Sequence, residues 1–348
     1  MANATLHVDL EAIAHNWRAL KGRVAAGVEV AAVVKANAYG LGAAQVAPAL
    51  YSAGARSFFV AQAVEAAALR PHLADDATIW VITGYMPGDK AAYAASGAQP
   101  MLNSPSQLAA FRADFPNRAY GLDIDSGMSR LGFEPQALAA LAFASPPVRP
   151  ALLSSHLACA DTPAHPMNAA QLGAFSMLTA ALPMVKKSLA NSAGIFLGAP
   201  YHFNLCRPGI AVYTGDFEGG RLPLRAEFPI IQTRQLMPGQ SVGYGATWTA
   251  TRPSRIATVA GGYADGIFRG LRGLRLFCGQ TPCPVVGRIS MDLIGVDITE
   301  LPDTPESLTL IGPEQSPGEI AALAGTISYE VLTALGARYN RVYRGAKG

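Results

Sequence analysis

The chain has 348 residues, of which 50% are hydrophobic and 15% charged, so a core for two domains or for one large barrel with an addition is available. The net charge is only +3 and no block of Lys and Arg stands out, which argues against nucleic acid as a partner. No apolar run approaches the roughly 18 residues that a bilayer span requires, and no export signal is visible at the N-terminus. The four cysteines are scattered without a CxxC pair and indicate free thiols, so we expect a soluble cytoplasmic protein.

Short apolar runs alternate with Ala-rich amphipathic segments from about residue 10 to residue 215. Such strand–helix units predict a parallel sheet, and about eight of them predict a closed (β/α)8 barrel rather than an open Rossmann sheet. The predicted strands cover residues 30–34, 57–60, 78–82, 100–102, 119–124, 151–155, 187–191 and 202–205. The predicted helices cover residues 10–22 (with Asp9 as N-cap), 43–53, 62–69, 89–95, 104–115, 135–144 and 168–182.

The pattern changes after Gly215, where Pro and Gly recur between short β-branched runs. This pattern is typical of an all-β domain. Strands are expected at residues 230–236, 255–259, 274–277, 284–286, 293–297 and 308–311, and helices at residues 316–324 and 327–335. We therefore predict a barrel over residues 10–220 and a mainly β domain over residues 221–348, with a linker at 216–220.

Lys35 ends an apolar run in the string AAVVKANAYGLG. The run predicts a buried strand, and α/β folds place their chemistry at the carboxyl ends of strands. Partial desolvation at such a place lowers the pKa of a lysine, and its neutral amine then attacks carbonyl groups, as a Schiff-base lysine must. The alternative is a lysine that simply extends from the end of the strand to solvent.

Three further strand ends carry polar groups. Arg130 follows a Gly-containing turn, and its planar guanidinium suits a carboxylate, although a structural pair with Asp125 explains it equally well. His156 follows another apolar strand, where it is suited to stack on a cofactor or serves as an ordinary structural histidine. In LCRPGI, Arg207 would point into the barrel mouth, and the amides after it would open a short helix that binds phosphate.

Tyr244 is flanked by glycines in GYGATW, which lifts its ring out of ordinary core packing, although a tyrosine packed on the surface of a turn is the alternative. The strings GGYADG and RISMD likewise embed polar groups among small residues. No metal-ligand spacing, GxGxxG string, Walker lysine or GxSxG elbow is present.

Seven strings resemble, in the same order, those of bacterial alanine racemases: VVKANAYGLG, DSGMSRLGF, LCRPGIAVY, VGYGATWTA, GGYADG, VGRISMD and TISYEVLTALGARYNRVY. The resemblance covers essentially the whole chain. It implies a fold-type III enzyme with an N-terminal (β/α)8 barrel, a C-terminal all-β domain and pyridoxal 5′-phosphate as cofactor. It also implies a homodimer with shared active sites, and an N-terminal strand at residues 1–9 that joins the C-terminal domain.

The resemblance also assigns roles to residues. Lys35 would bind the cofactor covalently and act as one catalytic base, and Tyr244 of the partner subunit would be the other. The phosphate would be held by Tyr39, Ser192, Gly209, Ile210 and Tyr329, the ring would be approached by His156 and Arg207, and the substrate carboxylate would be bound by Arg130 and the backbone of Met291. The mouth of the site would be lined, partly from the partner subunit, by Tyr263, Arg269, Arg288 and Asp292.

This assignment implies racemisation of L- and D-alanine by two bases, which supplies D-alanine for peptidoglycan. A positive neighbour such as His156 or an arginine would lower the pKa of Tyr244 so that it can act as a base. Many members of the family have a carbamylated lysine where Asp123 stands. We hypothesise that this carboxylate replaces the negative charge and orients Arg130, directly or through a water molecule.

Three other activities remain open. A racemase of the same fold that acts on serine, on basic amino acids or on a broader set is the nearest alternative. A fold-type III decarboxylase is less compatible, because Arg207 disfavours the protonated ring nitrogen that a decarboxylase needs. A non-catalytic cofactor carrier of the barrel-only type would lack the β domain that bears Tyr244.

Overall fold

The computed structural model describes residues 3–142 and 150–345. The strands before residue 216 are β1 (Thr5–Asp9), β2 (Glu29–Val30), β3 (Ala32–Val33), β4 (Ser57–Val60), β5 (Thr78–Val81), β6 (Gln99–Leu102), β7 (Gly121–Asp123), β8 (Leu152–Ser154), β9 (Lys186–Ser188) and β10 (Leu205–Cys206). The helices there are α1 (Leu10–Lys21), α2 (Lys35–Tyr39), α3 (Ala43–Ala53), α4 (Ala63–Leu69), α5 (Lys90–Ser96), α6 (Pro105–Asp114), α7 (Pro135–Ala142), α8 (Pro166–Leu178), α9 (Ser192–Phe196) and α10 (Ile210–Thr214). None of the described helices is long and apolar enough to cross a membrane.

Parallel strands form the predicted barrel. Strands β3 to β9 pair with their neighbours in chain order, and β2 and β3 are two halves of one strand that is interrupted at Ala31. Strand β10 pairs in parallel with β2, and the Asn204 amide next to it donates to the Lys187 carbonyl of β9 at 3.0 Å. These bonds close the ring, so the predicted eight-stranded (β/α)8 barrel is confirmed.

Helix α1 shows how the sequence sets the packing of the barrel. The Asp9 carboxylate caps the helix by accepting the Ala12 amide at 2.9 Å, as predicted. Trp17 and Leu20 lie one helical turn apart and are buried on the same face. The indole of Trp17 also donates to the carbonyl of Ala31 at 3.1 Å, so the helix binds the first barrel strand where that strand is interrupted.

The predicted elements of the barrel are all present, but several bounds differ. The helix expected at residues 168–182 ends at Leu178, the strand expected at 187–191 ends at Ser188, and the short helices α2 and α9 were not predicted. The single strand expected at residues 30–34 is split into β2 and β3. The last strand was expected at residues 202–205, but it begins only at Leu205, because the imidazole of His202 bonds the Ile195 carbonyl at 2.9 Å behind a 3₁₀ turn. Residues 143–144 of the helix expected at 135–144 lie outside the described residues.

The C-terminal part is an antiparallel all-β structure with two helices, as predicted. It contains β11 (Leu224–Leu236), β12 (Ser241–Val242), β13 (Trp248–Thr249), β14 (Ser254–Ala260), β15 (Arg275–Cys278), β16 (Thr281–Val286), β17 (Leu293–Asp297), β18 (Ser307–Ile311), α11 (Pro317–Ala324), α12 (Ser328–Ala334) and β19 (Asn340–Arg344). The large sheet has the order β14-β17-β16-β15-β18-β11-β1-β19, so β1 pairs antiparallel with β11 and parallel with β19. The sequence patterns missed β12, β13 and β19.

Strand β19 attaches the C-terminal part to the segment after Lys35. The guanidinium of Arg341 donates to the Gly40 carbonyl at 3.0 and 3.2 Å, and the Tyr343 hydroxyl donates to the Leu41 carbonyl at 3.0 Å. Gly40 has a φ of 84° and lies so close to the Leu332 carbonyl that a Cβ would come within 2.6 Å of it. These contacts place helix α12 beside the end of the barrel that carries Lys35.

Candidate functional site

A cavity of about 900 Å³, part of it open to solvent, lies at the carboxyl ends of the barrel strands. Catalytic groups of (β/α)8 barrels are found at this end. Its wall contains ten of the residues that the sequence analysis singled out: Lys35, Tyr39, Asp123, Arg130, His156, Ser192, Arg207, Gly209, Ile210 and Tyr329. The residue patterns and the family resemblance together therefore account for ten of the 21 described residues that line this cavity.

Lys35 is followed by a backbone turn of unusual handedness. The four residues from Ala36 to Tyr39 have φ angles of 52–55°, in the left-handed region that is disfavoured for residues with a Cβ. Each such residue costs about 1–2 kcal/mol, so neighbouring groups must hold the turn. The Asn37 side chain accepts the Ala43 amide at 2.8 Å and closes the turn onto helix α3.

The environment of Lys35 favours the neutral amine. Burial lowers the pKa of Lys35 most, and the positive charges of Arg130 and Arg207 lower it further, while Glu65 opposes them. A lysine with a lowered pKa has more of its neutral amine at neutral pH, and the neutral amine is the form that acts as nucleophile and as base. The prediction of a partly desolvated lysine at a strand end agrees with this geometry.

Arg207 is nearly buried in the floor of the cavity. Its guanidinium donates to the Ser155 carbonyl at 2.6 Å and to the Ser188 hydroxyl, and its Cζ lies 5.9 Å from the centre of the Phe59 ring. Burial lowers the pKa of Arg207 and nearby Asp123 raises it, while arginine stays charged at any physiological pH. The site therefore contains a fixed cation whose direction is set by two serines.

Asp123 faces the same cavity. The Ser154 hydroxyl donates to its carboxylate at 2.7 Å. Burial raises the pKa of Asp123 to about 6, although this hydrogen bond and the positive charges of Arg207 and Arg130 act in the opposite direction. Among the described residues no ion pair joins Asp123 to Arg130, so the charge of Asp123 reaches that arginine without direct contact.

His156 corrects one expectation. Burial lowers the pKa of His156 to about 3, and the charges of Arg207, Arg130 and Lys35 contribute in the same direction. The imidazole is therefore neutral near pH 7. Of the two positive neighbours suggested for the catalytic tyrosine, His156 or an arginine, a neutral His156 leaves the arginine, because burial and the nearby cations both disfavour a charged imidazole.

The residues at the other end of the cavity fit a phosphate group. The Ser192 hydroxyl accepts the amides of Gly209 and Ala211 at 2.9 and 3.3 Å. The Tyr39 ring packs 4.7 Å from the Tyr213 ring and 6.0 Å from the Tyr329 ring, measured between centroids. A Cβ at Gly209 would fill the space beside the Tyr39 hydroxyl. Hydroxyls and backbone amides at the beginning of a helix form the donor set that binds phosphate, so these residues fit a phosphate-bearing cofactor.

Six predicted residues lie outside this cavity, on the C-terminal β structure of the same chain: Tyr244, Tyr263, Arg269, Arg288, Met291 and Asp292. Tyr244 is 71% exposed and Met291 52% exposed. Arg269 and Arg288 line a second cavity, and Asp292 pairs with Arg338 at 2.7 Å. Within a single chain, these six residues therefore lie outside the cavity that contains Lys35.

Several residues around the cavity were missed by the sequence analysis. Phe59 and Ser155 line the cavity, and Ser188 accepts from the Arg207 guanidinium. All three lie inside predicted strands, but only Ser155 stands at the carboxyl end of one, which was the available signal. Glu65 gave no such signal, because a glutamate in the first turn of a helix is an ordinary capping residue. Its second contact, with the backbone after Lys35, depends on the tertiary structure.

Sequence models of known families match nearly the whole chain. The model of the alanine racemase N-terminal domain matches residues 8–216, and that of the alanine racemase C-terminal domain matches residues 224–343. An alanine racemase of Cereibacter sphaeroides is 51% identical over 345 residues, which cover 99% of each chain. One from Ruegeria sp. is 48% identical over 346 residues, again covering 99% of both.

Solved structures agree with this result. The alanine racemase of Bartonella henselae, described with covalently bound pyridoxal phosphate, superposes with a TM-score of 0.92 at 39% identity and covers 99% of this chain and 100% of its own. The biosynthetic alanine racemase of Pseudomonas aeruginosa superposes with a TM-score of 0.89 at 37% identity, with the same coverage.

Proposed function

The chain belongs to the alanine racemase family, and from that premise we propose that it interconverts L- and D-alanine with Lys35 and the partner subunit's Tyr244 as the two bases. Members of this family are isomerases that use pyridoxal 5′-phosphate. The observation that carries the proposal is the cavity itself. It joins a lysine with a lowered pKa to two arginines and to a set of donors that suits a phosphate.

The residues of the cavity divide between cofactor and substrate. Bound pyridoxal 5′-phosphate withdraws electrons from the amino acid and makes its Cα–H acidic. Arg207 would place its fixed positive charge near the ring nitrogen and so disfavour a proton there. The phosphate would be held by Tyr39, Ser192, Gly209, Ile210 and Tyr329, and neutral His156 would pack against the ring.

Proton transfer requires a base on each face of the reacting carbon. The Lys35 amine takes or returns the proton on one face, because burial makes its neutral form accessible. Tyr244 is exposed in the single chain, which supports a role in the partner subunit's site. There it would act on the opposite face of the reacting carbon. Arg130 and the backbone of the partner subunit's Met291 bind the substrate carboxylate.

The division of the chain follows from this arrangement. We assign residues 10–220 to the cofactor-binding barrel and residues 221–348 to the domain that carries the second base. Residues 1–9 belong to that second domain through β1, which pairs between β11 and β19. The active enzyme is a homodimer, and Tyr263, Arg269, Arg288 and Asp292 line the mouth of the site, partly in the partner's cavity. The D-alanine formed in the cytoplasm supplies cell-wall peptidoglycan.

Asp123 takes the place of the carbamylated lysine of many relatives. Its carboxylate shares the cavity with Arg130 and lowers the electrostatic energy of that guanidinium without touching it. We expect it to orient Arg130 through a water molecule, because a carboxylate on one methylene has a shorter reach than a carbamylated lysine.

The test is deuterium exchange in D2O. The purified protein loaded with pyridoxal 5′-phosphate is incubated with L-alanine, and D-alanine formation and deuterium at Cα are followed, with L-serine and L-lysine in parallel. D-alanine that forms fastest and carries deuterium supports the proposal. Faster turnover of serine or lysine would support the proposed chemistry with a different substrate. Absence of exchange with alanine, serine and lysine would contradict the proposed function.

A further inference from the structure

Glu65 connects the beginning of helix α4 to the backbone that follows Lys35. Its Oε2 accepts the amides of Ala61 and Gln62 at 2.7 and 3.1 Å, as a capping carboxylate does. Its Oε1 leaves the helix and accepts the amide of Ala36, 29 residues earlier in the chain, at 2.7 Å. One carboxylate therefore joins two segments of the barrel with its two oxygens.

The Ala36 amide is a sensitive point of the site. Ala36 is the first of the four left-handed residues, and its amide nitrogen belongs to the peptide that links it to Lys35. A hydrogen bond to this amide fixes the plane of that peptide, and with it the direction of the Lys35 side chain. Because a left-handed turn of non-glycine residues relaxes readily, loss of the bond leaves the lysine less well placed.

Glu65 also contributes charge. Burial lowers the pKa of Lys35 most, the positive charges of Arg130 and Arg207 lower it further, and the negative charge of Glu65 acts against them. Glu65 thus raises the pKa of Lys35, whereas burial lowers it. Both the hydrogen bond from the Ala36 amide and the negative charge of Glu65 therefore act on Lys35.

We propose that Glu65 is a positioning residue for Lys35: its carboxylate holds the left-handed turn through the Ala36 amide and supplies negative charge to the lysine. The proposal rests on the proposed role of Lys35 in the reaction. Two variants separate the two contributions. Glu65→Gln removes the charge and one of the two acceptor oxygens, whereas Glu65→Asp keeps the charge and shortens the reach.

Glu319 provides a matched control. It is also the third residue of a helix, α11, and its carboxylate accepts the Ser316 amide at 2.7 Å and the Ser316 hydroxyl at 2.9 Å. Within the described part of the chain, its hydrogen bonds stay at the beginning of that helix. Glu319→Gln therefore removes a comparable cap at a distance from the Lys35 turn.

The experiment has one readout without cofactor and one with it. In the cofactor-free protein, the rate at which a small acylating reagent modifies Lys35 is measured against pH by peptide mass spectrometry. In the loaded enzyme, kcat and KM for alanine are measured. Glu65→Gln is expected to move the midpoint of Lys35 modification to lower pH and to lower kcat roughly 10- to 100-fold, with a smaller change in KM. Glu65→Asp is expected to keep the midpoint and still lower kcat.

The control decides between a positioning role and a simple cap. If Glu65→Gln changes the midpoint of Lys35 modification and kcat no more than Glu319→Gln does, the proposal is wrong. If Glu65→Gln does not fold, Glu65→Asp decides, since an unchanged kcat in that variant overturns the proposal and a lowered kcat supports it. A wild-type protein that fails to racemise alanine contradicts the proposed function instead, and the modification of Lys35 still tests Glu65.

Discussion

The hydroxyl of Tyr39 lies so close to Gly209 that a Cβ on that glycine would come within 2.1 Å of it. The φ of Gly209 is −124°, outside the left-handed region that favours glycine. A side chain at this position would enter the space that the tyrosine hydroxyl occupies. Tyr39 in turn cannot retreat easily, because its ring is buried against Tyr213.

The first prediction concerns this contact. Gly209→Ala should push the Tyr39 hydroxyl out of the phosphate end of the cavity and weaken binding of pyridoxal 5′-phosphate about 10-fold or more, which corresponds to a lost charge-assisted hydrogen bond. Absorbance titration of the cofactor-free protein measures the change. Gly173→Ala is the matched control, because a Cβ there meets nothing within 4 Å. Equal cofactor affinity in both variants would show that Tyr39 does not take part.

The second prediction concerns Asp123. Asp123→Ala should raise KM for alanine much more than it raises the dissociation constant of the cofactor, because the carboxylate acts on Arg130 and not on the phosphate end. We expect an increase in KM of about 10-fold, which corresponds to the free energy of one interaction lost by a charged group. Steady-state kinetics and a cofactor titration measure the two effects. Unchanged Michaelis parameters would rule out a replacement of the carbamylated lysine.

The third prediction is a pH dependence of stability. The pKa of Asp123 is about 6 in the folded protein, above its ordinary value of 3.8. Between these values the folded state binds more protons than the unfolded state, so the contribution of Asp123 to the free energy of unfolding falls as the pH rises through this window. Asp123→Asn keeps an acceptor for Ser154 and cannot ionise. It should therefore gain on the order of 1–3 kcal/mol over the wild type between pH 4 and pH 8.

Urea unfolding at several pH values measures this difference. Asp75→Asn is the control, because Asp75 lies on the exposed surface. A difference between Asp123→Asn and the wild type that does not grow with pH would mean that the carboxyl of Asp123 titrates normally.

The fold and the site differ in how far local sequence determines them. Alternating strands and helices predicted the barrel, because each unit buries its own apolar face. Polar residues at strand ends predicted only Lys35, Arg130, His156 and Arg207 of the cavity wall, and Tyr39, Asp123 and Tyr329 were added by the family resemblance. The left-handed turn at Ala36–Tyr39 could not be predicted, since alanine and asparagine have no local preference strong enough to impose it. It depends on Glu65 and on Arg341, which come from distant parts of the chain.

Other features could not be predicted either, because they also depend on tertiary contacts. Strand β19 is polar and mostly half-buried, so its sequence lacks the alternation that identifies a strand. The neutral state of His156 follows from its neighbours and its burial, neither of which is visible in the string around it. The position of Tyr244 in the proposed dimer depends on how two subunits pack, and the sequence pattern of one chain does not determine that packing.

The last prediction therefore tests the proposed sharing of sites between subunits. Lys35→Ala and Tyr244→Phe should each abolish most of the racemase activity. The two variants are then co-expressed with different affinity tags, and the heterodimer that carries both tags is purified. If each site combines Lys35 of one subunit with the partner subunit's Tyr244, one site of this heterodimer contains both changes and the other contains neither. The heterodimer should then regain about half of the activity of the wild-type dimer.

A site built from a single chain gives a different result, since each subunit of the heterodimer would carry one damaged site and activity would stay absent. Heterodimers of wild type with Lys35→Ala are the control, because either arrangement leaves them one intact site. Their activity shows that purification and tagging preserve function. Absence of activity in the doubly tagged Lys35→Ala and Tyr244→Phe heterodimer, with an active control, would place both bases in one chain. This would contradict the separation of Lys35 from the exposed Tyr244 on which the proposal depends.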